Sequence, residues 1–141
     1  MMTYLPKDVF KPLPIFDDEG FWKHCAERDL RFQACADCGA LRHPPTPICW
    51  SCQSTRTTWK PAPEHGVVFT YTVVHHAADE RISQAVPYVV ALIEFPDFGP
   101  VKLISNVICK PDEIHVGMSV TLFWEEGDEG LSLPRFKPTG P

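Results

Sequence analysis

The residues with the clearest chemistry are four cysteines that form two Cys-x-x-Cys pairs, Cys35 with Cys38 and Cys49 with Cys52. Structural zinc binds four thiolates in a tetrahedron, and two such turns can bring four sulfurs to one ion. The ten residues between the pairs are fewer than in the commonest zinc ribbons, but they leave room for a short hairpin. The spacing therefore predicts a four-thiolate zinc site.

Two alternatives to a structural zinc site are redox chemistry and catalytic zinc. A single Cys-x-x-Cys fits a redox dithiol or a disulfide, whereas two in tandem rarely do. A catalytic zinc keeps one position open for water, but here cysteines fill all four positions, so we predict a structural ion. His43 could in principle replace a sulfur, but it lies mid-spacer beside two prolines, and we interpret it as a surface residue.

A short helix and a β-ribbon are expected to position the four cysteines. Acidic residues at 17–19 favour a helix start, and Phe21, Trp22 and Cys25 follow at helical spacing. Prolines at 61 and 63 mark a boundary after the ribbon. We therefore divide the chain into an N-terminal arm and helix (1–30), a zinc ribbon (31–60) and a barrel (61–141).

The remainder of the chain is predicted to form five short strands. In the first of them Val67, Phe69 and Tyr71 alternate with threonines, so we expect them to share one face. The last is predicted to be an edge strand, because Pro134 has no N–H to donate to a central ladder. Five strands indicate a mainly β protein with a five-stranded Greek-key barrel of the OB type. The strands are expected at 67–73, 88–94, 101–108, 118–124 and 131–137.

Charge and hydropathy narrow the possible functions. Single-stranded nucleic-acid binding is the alternative that zinc ribbons and OB barrels raise. However, the net charge is −5, and from residue 62 onward eleven acids face five bases, which is not the footprint of such a protein. The sequence contains no run of about 18 apolar residues, so we predict no membrane-spanning helix. The start lacks a secretory signal pattern, and metal-bound thiolates fit a reducing compartment, so we expect a cytoplasmic protein.

An independent active site has little support in the sequence. His75 and His76 with Asp79 and Glu80 could form a metal or general-base cluster, but adjacent histidines on a strand point to opposite faces. Cys109 is a second candidate, with a rim or buried thiol as the alternative. Nucleophile elbows, phosphate loops and dinucleotide fingerprints are lacking. We expect no turnover by this chain alone.

Several segments together resemble a known family: 35–45, 49–52, 66–74, 86–90, 116–120 and 133–138. The chain is similar to the OB-fold family with an N-terminal rubredoxin-like zinc ribbon, first catalogued as uncharacterised domain family thirty-five. The resemblance extends from about residue 17 to 138. It implies a non-catalytic partner of thiolases, thiolase-like aldolases or hotdog-fold hydratases, which binds acyl-CoA or bridges the partner's active site.

Binding of acyl-CoA would require cations for the CoA phosphates. Candidates are Arg42, Arg135 and Lys137, since a guanidinium matches phosphate bidentately and an ammonium adds a point charge. The alternative for each is a solvated surface charge. We expect the functional surface in the groove between ribbon and barrel, with the zinc in a supporting role.

Overall fold

The computed structural model describes residues 12–127 and 129–140, so most of the predicted N-terminal arm lies outside the described residues. A 3-10 turn (Phe16–Asp18) leads into helix α1 (Glu19–Ala26). A three-stranded antiparallel sheet follows, in which β1 (Arg31–Cys35) lies between β2 (Leu41–Arg42) and β3 (Thr57–Pro61). This sheet carries the cysteines and forms the ribbon.

The second part of the chain forms a closed five-stranded barrel with the order β4-β5-β6-β8-β7. A 3-10 turn (Glu80–Ile82) lies between β4 and β5. The predicted fold class, a mainly β OB-type barrel preceded by a short helix and a ribbon, is confirmed. The strands are β4 (His65–Val74), β5 (Tyr88–Phe95), β6 (Gly99–Val107), β7 (Ser119–Glu126) and β8 (Ser132–Pro138).

Strand β8 closes the barrel, so the prediction of an edge strand was wrong. It pairs with β7 along its whole length and meets β6 in parallel, with Val107 opposite Phe136. Pro134 has no N–H to donate to the ladder, but its carbonyl remains available as an acceptor. The Pro134 carbonyl accepts a hydrogen bond from Ser105 Oγ at 2.6 Å.

A β-bulge in β4 changes which residues face the core. The register with β5 shifts between Val68 and Thr70, and the extra residue reverses the alternation. Val67, before the bulge, pairs with Glu94, whereas Tyr71, after it, pairs with the buried Ala91, so Val67 and Tyr71 lie on opposite faces. Phe69 and Tyr71 are 47% and 38% exposed. The expectation that Val67, Phe69 and Tyr71 share one apolar face was wrong for this reason.

Ribbon, helix and barrel share one hydrophobic core. Phe32 of β1 packs against Phe95 of β5 at a ring distance of 5.6 Å, and Phe95 packs against Phe136 of β8 at 6.3 Å. Phe21 and Cys25 add the buried face of α1. This aromatic contact fixes the ribbon against the barrel and defines the space between them. No helix among the described residues is long and apolar enough to span a membrane.

Candidate functional site

The two Cys-x-x-Cys segments adopt matching turns. In the first, the Gly39 N–H donates to the Cys35 carbonyl at 3.0 Å; in the second, the Gln53 N–H donates to the Cys49 carbonyl at 3.0 Å. Gly39 and Gln53 occupy equivalent positions and both have positive φ, 78° and 63°. The chain reverses at these residues and returns each pair of sulfurs to a common point.

The four sulfurs form a compact cluster. Cys35 Sγ lies 3.5 Å from Cys52 Sγ, and Cys38 Sγ lies 3.5 Å from Cys49 Sγ. All four lie within 4.8 Å of one another. A tetrahedron of sulfurs at about 2.3 Å from zinc has edges of about 3.8 Å. These cysteines are free thiols rather than disulfides, and their arrangement is that of a metal-binding cluster.

Hydrogen bonds prepare the cluster for a cation. The backbone N–H of Cys38, assisted by that of Asp37, lowers the pKa of Cys35 to about 6 despite the opposing effect of burial. The Ser54 N–H acts to lower the pKa of Cys52, but Cys35, burial and the other two sulfurs raise it to about 12. Four sulfurs this close cannot all ionise unless a cation lies among them, and a divalent metal supplies that charge.

Polar contacts join the two turns outside the sulfur cluster. The Asp37 carboxylate accepts hydrogen bonds from Ser54 Oγ and, at 2.6 Å, from Arg56 Nη1. The Ala36 N–H donates to the Arg56 carbonyl at 3.0 Å. These bonds connect the segment after the second pair of cysteines to the first turn, so the ribbon has support outside the sulfur cluster.

A cavity of about 950 Å³ lies between ribbon and barrel. Its walls come from α1, the spacer between the cysteine pairs, β5, β6 and β8. The lining is mainly apolar and includes Leu41, Trp50, Leu92, Ile104 and Leu133. Cavities of this size accept one small-molecule ligand. The cavity therefore occupies the groove that the sequence indicated as the functional surface.

Arg42 lies in this cavity wall and is only 5% exposed. Its Nε donates to Gln33 Oε1 at 2.7 Å and to the Thr46 carbonyl at 3.3 Å. Nη1 and Nη2 are buried and have no partner within the described part of the chain. For Arg42 the alternative of a solvated surface charge was wrong.

The other two phosphate candidates are placed differently. Arg135 also lines the cavity, and it donates to Glu125 Oε2 at 2.9 Å and to Asn106 Oδ1 at 2.8 Å. Lys137 is exposed and is not among the lining residues; its Nζ lies 6.0 Å from the centre of the Phe123 ring. The structure thus brings Arg42 and Arg135 to one cavity and leaves Lys137 outside it.

Two residues of β6 were missed at the sequence level. Lys102 lines the cavity, with its Nζ 4.6 Å from the Phe69 ring centre, and Ile104 lines it while 71% exposed. The signal was present: β6 alternates, with Val101, Leu103 and Ser105 buried and the two residues between them, Lys102 and Ile104, on the outer face. Ile104, an apolar residue on that outer face, indicates a surface that a ligand or partner could cover.

His43 is half-buried and packs between aromatic rings, so its interpretation as a surface residue was wrong. Its ring lies between Phe21, at a centroid distance of 5.0 Å, and Phe32, at 5.1 Å. Burial lowers its pKa to about 4, with a small opposing effect from Asp18. The pairing of β2 with β1 places the residue after β2 against the helix. His43 is neutral at pH 7 and lines the cavity without adding charge.

The residues weighed for independent catalysis do not come together. His75 and His76 are exposed, and Asp79 pairs with Arg81 at 2.6 Å. Burial, and then Glu113 and Asp112, raise the pKa of Cys109, which disfavours a nucleophilic thiolate. Within residues 12–127 and 129–140, the four cysteines form the one cluster of potential metal ligands.

Known protein families match nearly three quarters of the chain. Residues 22–58 match the family described as ChsH2, rubredoxin-like zinc ribbon domain. Residues 59–125 match the family described as ChsH2, C-terminal OB-fold domain.

Curated relatives include two enzyme subunits and a scaffold protein. A probable enoyl-CoA hydratase alpha subunit of Thermomonospora curvata is 40% identical, over 94% of this chain and 41% of its own length. The 3-oxo-4,17-pregnadiene-20-carboxyl-CoA hydratase alpha subunit of Mycobacterium tuberculosis is 33% identical, over 82% of this chain and 36% of its own length. The chain thus spans about two fifths of these subunits. A DUF35 domain-containing scaffold protein of Methanocaldococcus jannaschii is 32% identical, over 83% of this chain and 87% of its own length.

Solved structures share the fold. A chain of the structure described as Ltp2-ChsH2(DUF35) aldolase has a TM-score of 0.82 and 37% identity, with 91% of this chain and 98% of that chain covered. A DUF35 protein of unknown function from Sulfolobus solfataricus has a TM-score of 0.62 at 20% identity, with 86% of this chain and 84% of that chain covered. This similarity supports the fold alone. The chain belongs to the DUF35 family, in which a ChsH2-type rubredoxin-like zinc ribbon precedes an OB-fold domain.

Proposed function

We propose that this chain is a non-catalytic accessory subunit that binds a thiolase-like or hotdog-fold enzyme acting on acyl-CoA. The observation that carries the proposal is the match to 98% of a solved chain described as Ltp2-ChsH2(DUF35) aldolase. Two relatives named as hydratase alpha subunits and one named as a scaffold protein support it. The described residues considered for catalysis lie apart, which fits a subunit that assists a partner.

We assign zinc to the cluster of Cys35, Cys38, Cys49 and Cys52, in a structural role. Four thiolates leave no open position for water or substrate, and a zinc of this kind contributes to folding. In this proposal the ribbon (31–60) is a folding unit that depends on metal, and it completes one wall of the cavity on the barrel (61–141).

The cavity between ribbon and barrel is proposed to hold the acyl part of an acyl-CoA. Its apolar walls suit a hydrocarbon chain, whereas the CoA phosphates need cations and water. Of the three phosphate candidates, Arg135 reaches the cavity but is already paired with Glu125, and Lys137 could act only from outside. Arg42 has a different environment, considered below.

Capture of the partner tests the proposal. We expect a tagged chain, expressed in its source organism, to co-elute with a thiolase-fold or hotdog-fold protein in a fixed ratio. A Cys38→Ser variant, with a disrupted ribbon, should capture less of it. A wild-type chain that elutes alone from the native extract would contradict the accessory role.

Single-stranded nucleic-acid binding is a second candidate, favoured by the exposed rings of Phe69 and Tyr71 on an OB barrel. The net charge of −5 opposes it. A gel-shift titration with oligothymidine at two salt concentrations separates the two functions. We expect no salt-dependent shift at low micromolar protein.

A further inference from the structure

Arg42 is a buried cation for which the described residues provide no anion. Its side-chain partners are a neutral amide, Gln33, and a backbone carbonyl, and both bond to Nε. Nη1 and Nη2, which form the fork that binds carboxylates, have no partner in the same part of the chain. Buried charges in proteins are normally paired or bound to a ligand. The fold therefore leaves a site for an anion.

The charges around the cavity favour an anion. Among the described residues, the lining bases are Arg42, Lys102 and Arg135, and the lining acid is Asp18. Glu125 pairs with Arg135, and Glu94 lies opposite Lys102 in the ladder, whereas Nη1 and Nη2 of Arg42 have no partner in the described part of the chain. The lining His43 adds no charge at pH 7, because burial lowers its pKa to about 4.

We propose that the cavity binds a carboxylate carried on an apolar body, with the carboxylate at the Arg42 guanidinium. A planar guanidinium receives a carboxylate through two parallel hydrogen bonds. The apolar walls receive the body of the ligand, which is a free carboxylic acid or an acyl group with a carboxylate at its far end. The walls are mainly apolar, so the several charges of the CoA phosphates lie outside the cavity.

Ligand entry has a spectroscopic consequence. Bulk water does not reach Nη1 or Nη2, so side chains of the wall must shift for the carboxylate to make contact. Trp50 lies in the same wall, and its Nε1 donates to the carbonyl of Leu41, the residue before Arg42, at 3.2 Å. Its indole fluorescence should therefore report binding.

The test compares decanoate with decanol, which has the same chain but no charge, by tryptophan fluorescence and calorimetry on the full-length protein. Charge-assisted hydrogen bonds predict that wild type binds decanoate at least about tenfold more tightly than decanol. Arg42→Met should lose this preference, whereas Arg81→Met, which removes an exposed arginine outside the cavity, should keep it. Failure of decanoate to bind, equal affinity for decanol, or a preference retained by Arg42→Met would each overturn the proposal.

Thermal melting separates loss of the site from loss of the fold. Without ligand, Arg42→Met should melt no lower than wild type, because it replaces an uncompensated buried charge with an apolar side chain of similar length. Decanoate should raise the melting temperature of wild type and leave that of Arg42→Met unchanged. A variant that melts much lower without ligand contradicts the account of Arg42 as an unpaired charge.

This inference rests on the proposed function only for the acyl-CoA form of the ligand, and the two can fail separately. Arg42→Met should still capture the partner enzyme. If wild type binds decanoate but captures no partner enzyme from the native extract, the accessory role fails and the anion site stands. Capture that is lost in Arg42→Met, with no decanoate effect in wild type, would instead assign the anion at Arg42 to a partner carboxylate and overturn the inference.

Discussion

Two neighbouring polar residues, Arg42 and His43, lie in surroundings that their types do not indicate. Arg42 ends strand β2 and His43 comes directly after it. Because β2 is only two residues long, it has no periodicity from which a buried face could be predicted. Charged side chains are mostly exposed, so a surface assignment is the default for an isolated arginine. In this fold β2 pairs with β1, and the helix and barrel cover the residues that follow it.

Burial of His43 predicts a pH dependence of stability. Its pKa is lowered from 6.5 to about 4, so protons bind the unfolded chain more readily than the folded one. The stabilisation from the neutral ring is complete above about pH 6.5 and is lost as the pH falls towards 4, by up to about 3 kcal/mol. His43→Phe keeps the aromatic packing and should lose about 2 kcal/mol less than wild type between about pH 7.5 and 5.

Urea unfolding at the two pH values measures this difference. His75→Phe, a substitution at an exposed histidine, serves as the control and should behave like wild type. Protonation of metal-bound cysteines affects all three proteins alike and cancels in the comparison. Equal losses for wild type and His43→Phe would show that His43 titrates normally in the folded protein.

The cysteine cluster predicts a link between metal and folding. Cys38→Ser or Cys49→Ser removes one ligand from a four-sulfur shell, and the remaining sulfurs repel once ionised. We expect bound zinc to fall from about one ion per chain to nearly none, with loss of ribbon structure. Elemental analysis and circular dichroism measure both effects. Cys109→Ser, outside the cluster, should keep the metal; a full zinc complement in Cys38→Ser would refute the ligand assignment.

At the scale of elements, local pattern located the strands but not their partners. The five predicted barrel strands each overlap an observed strand, because turn residues and alternation are local signals. The closing position of β8 depends on β6 and β7, which come from elsewhere in the chain, so Pro134 misled the assignment. The bulge in β4 was also missed, since one extra residue reverses the alternation without a sequence signal.

Closure of the barrel requires a close approach at Gly66. A Cβ there would lie 2.6 Å from Ile93 Cγ2 and 3.0 Å from the Glu94 carbonyl oxygen, and the backbone cannot easily withdraw. Gly66→Ala should therefore destabilise the protein by about 1–3 kcal/mol through overpacking. Gly127→Ala is the control, because its Cβ would meet neighbours at 3.4 Å or more. Chemical denaturation measures both, and equal stabilities would contradict the packing around β4.

At the scale of the whole molecule, the four-cysteine cluster supports one wall of the cavity in which we propose that the ligand binds. The cysteines hold the ribbon, the ribbon packs through Phe32 on the barrel, and the cavity lies between them. The closed set of four cysteines led us to expect the groove, and the sequence resemblance predicted the family. Lys102 was missed although the alternation of β6 carries its signal. The unpaired state of Arg42 could not be predicted, because it depends on side chains that meet only in the folded chain.

The central claim is that this chain assists an acyl-CoA enzyme without catalysing the reaction itself. The most direct measurement is the turnover of an enoyl-CoA or acyl-CoA substrate by three samples: the purified chain, the captured partner, and the two combined. The account predicts no turnover by the chain alone and a rate for the combination at least about tenfold above that of the partner alone, as expected when a subunit positions substrate. Turnover by the chain alone, or a partner rate that the chain does not change, would contradict it.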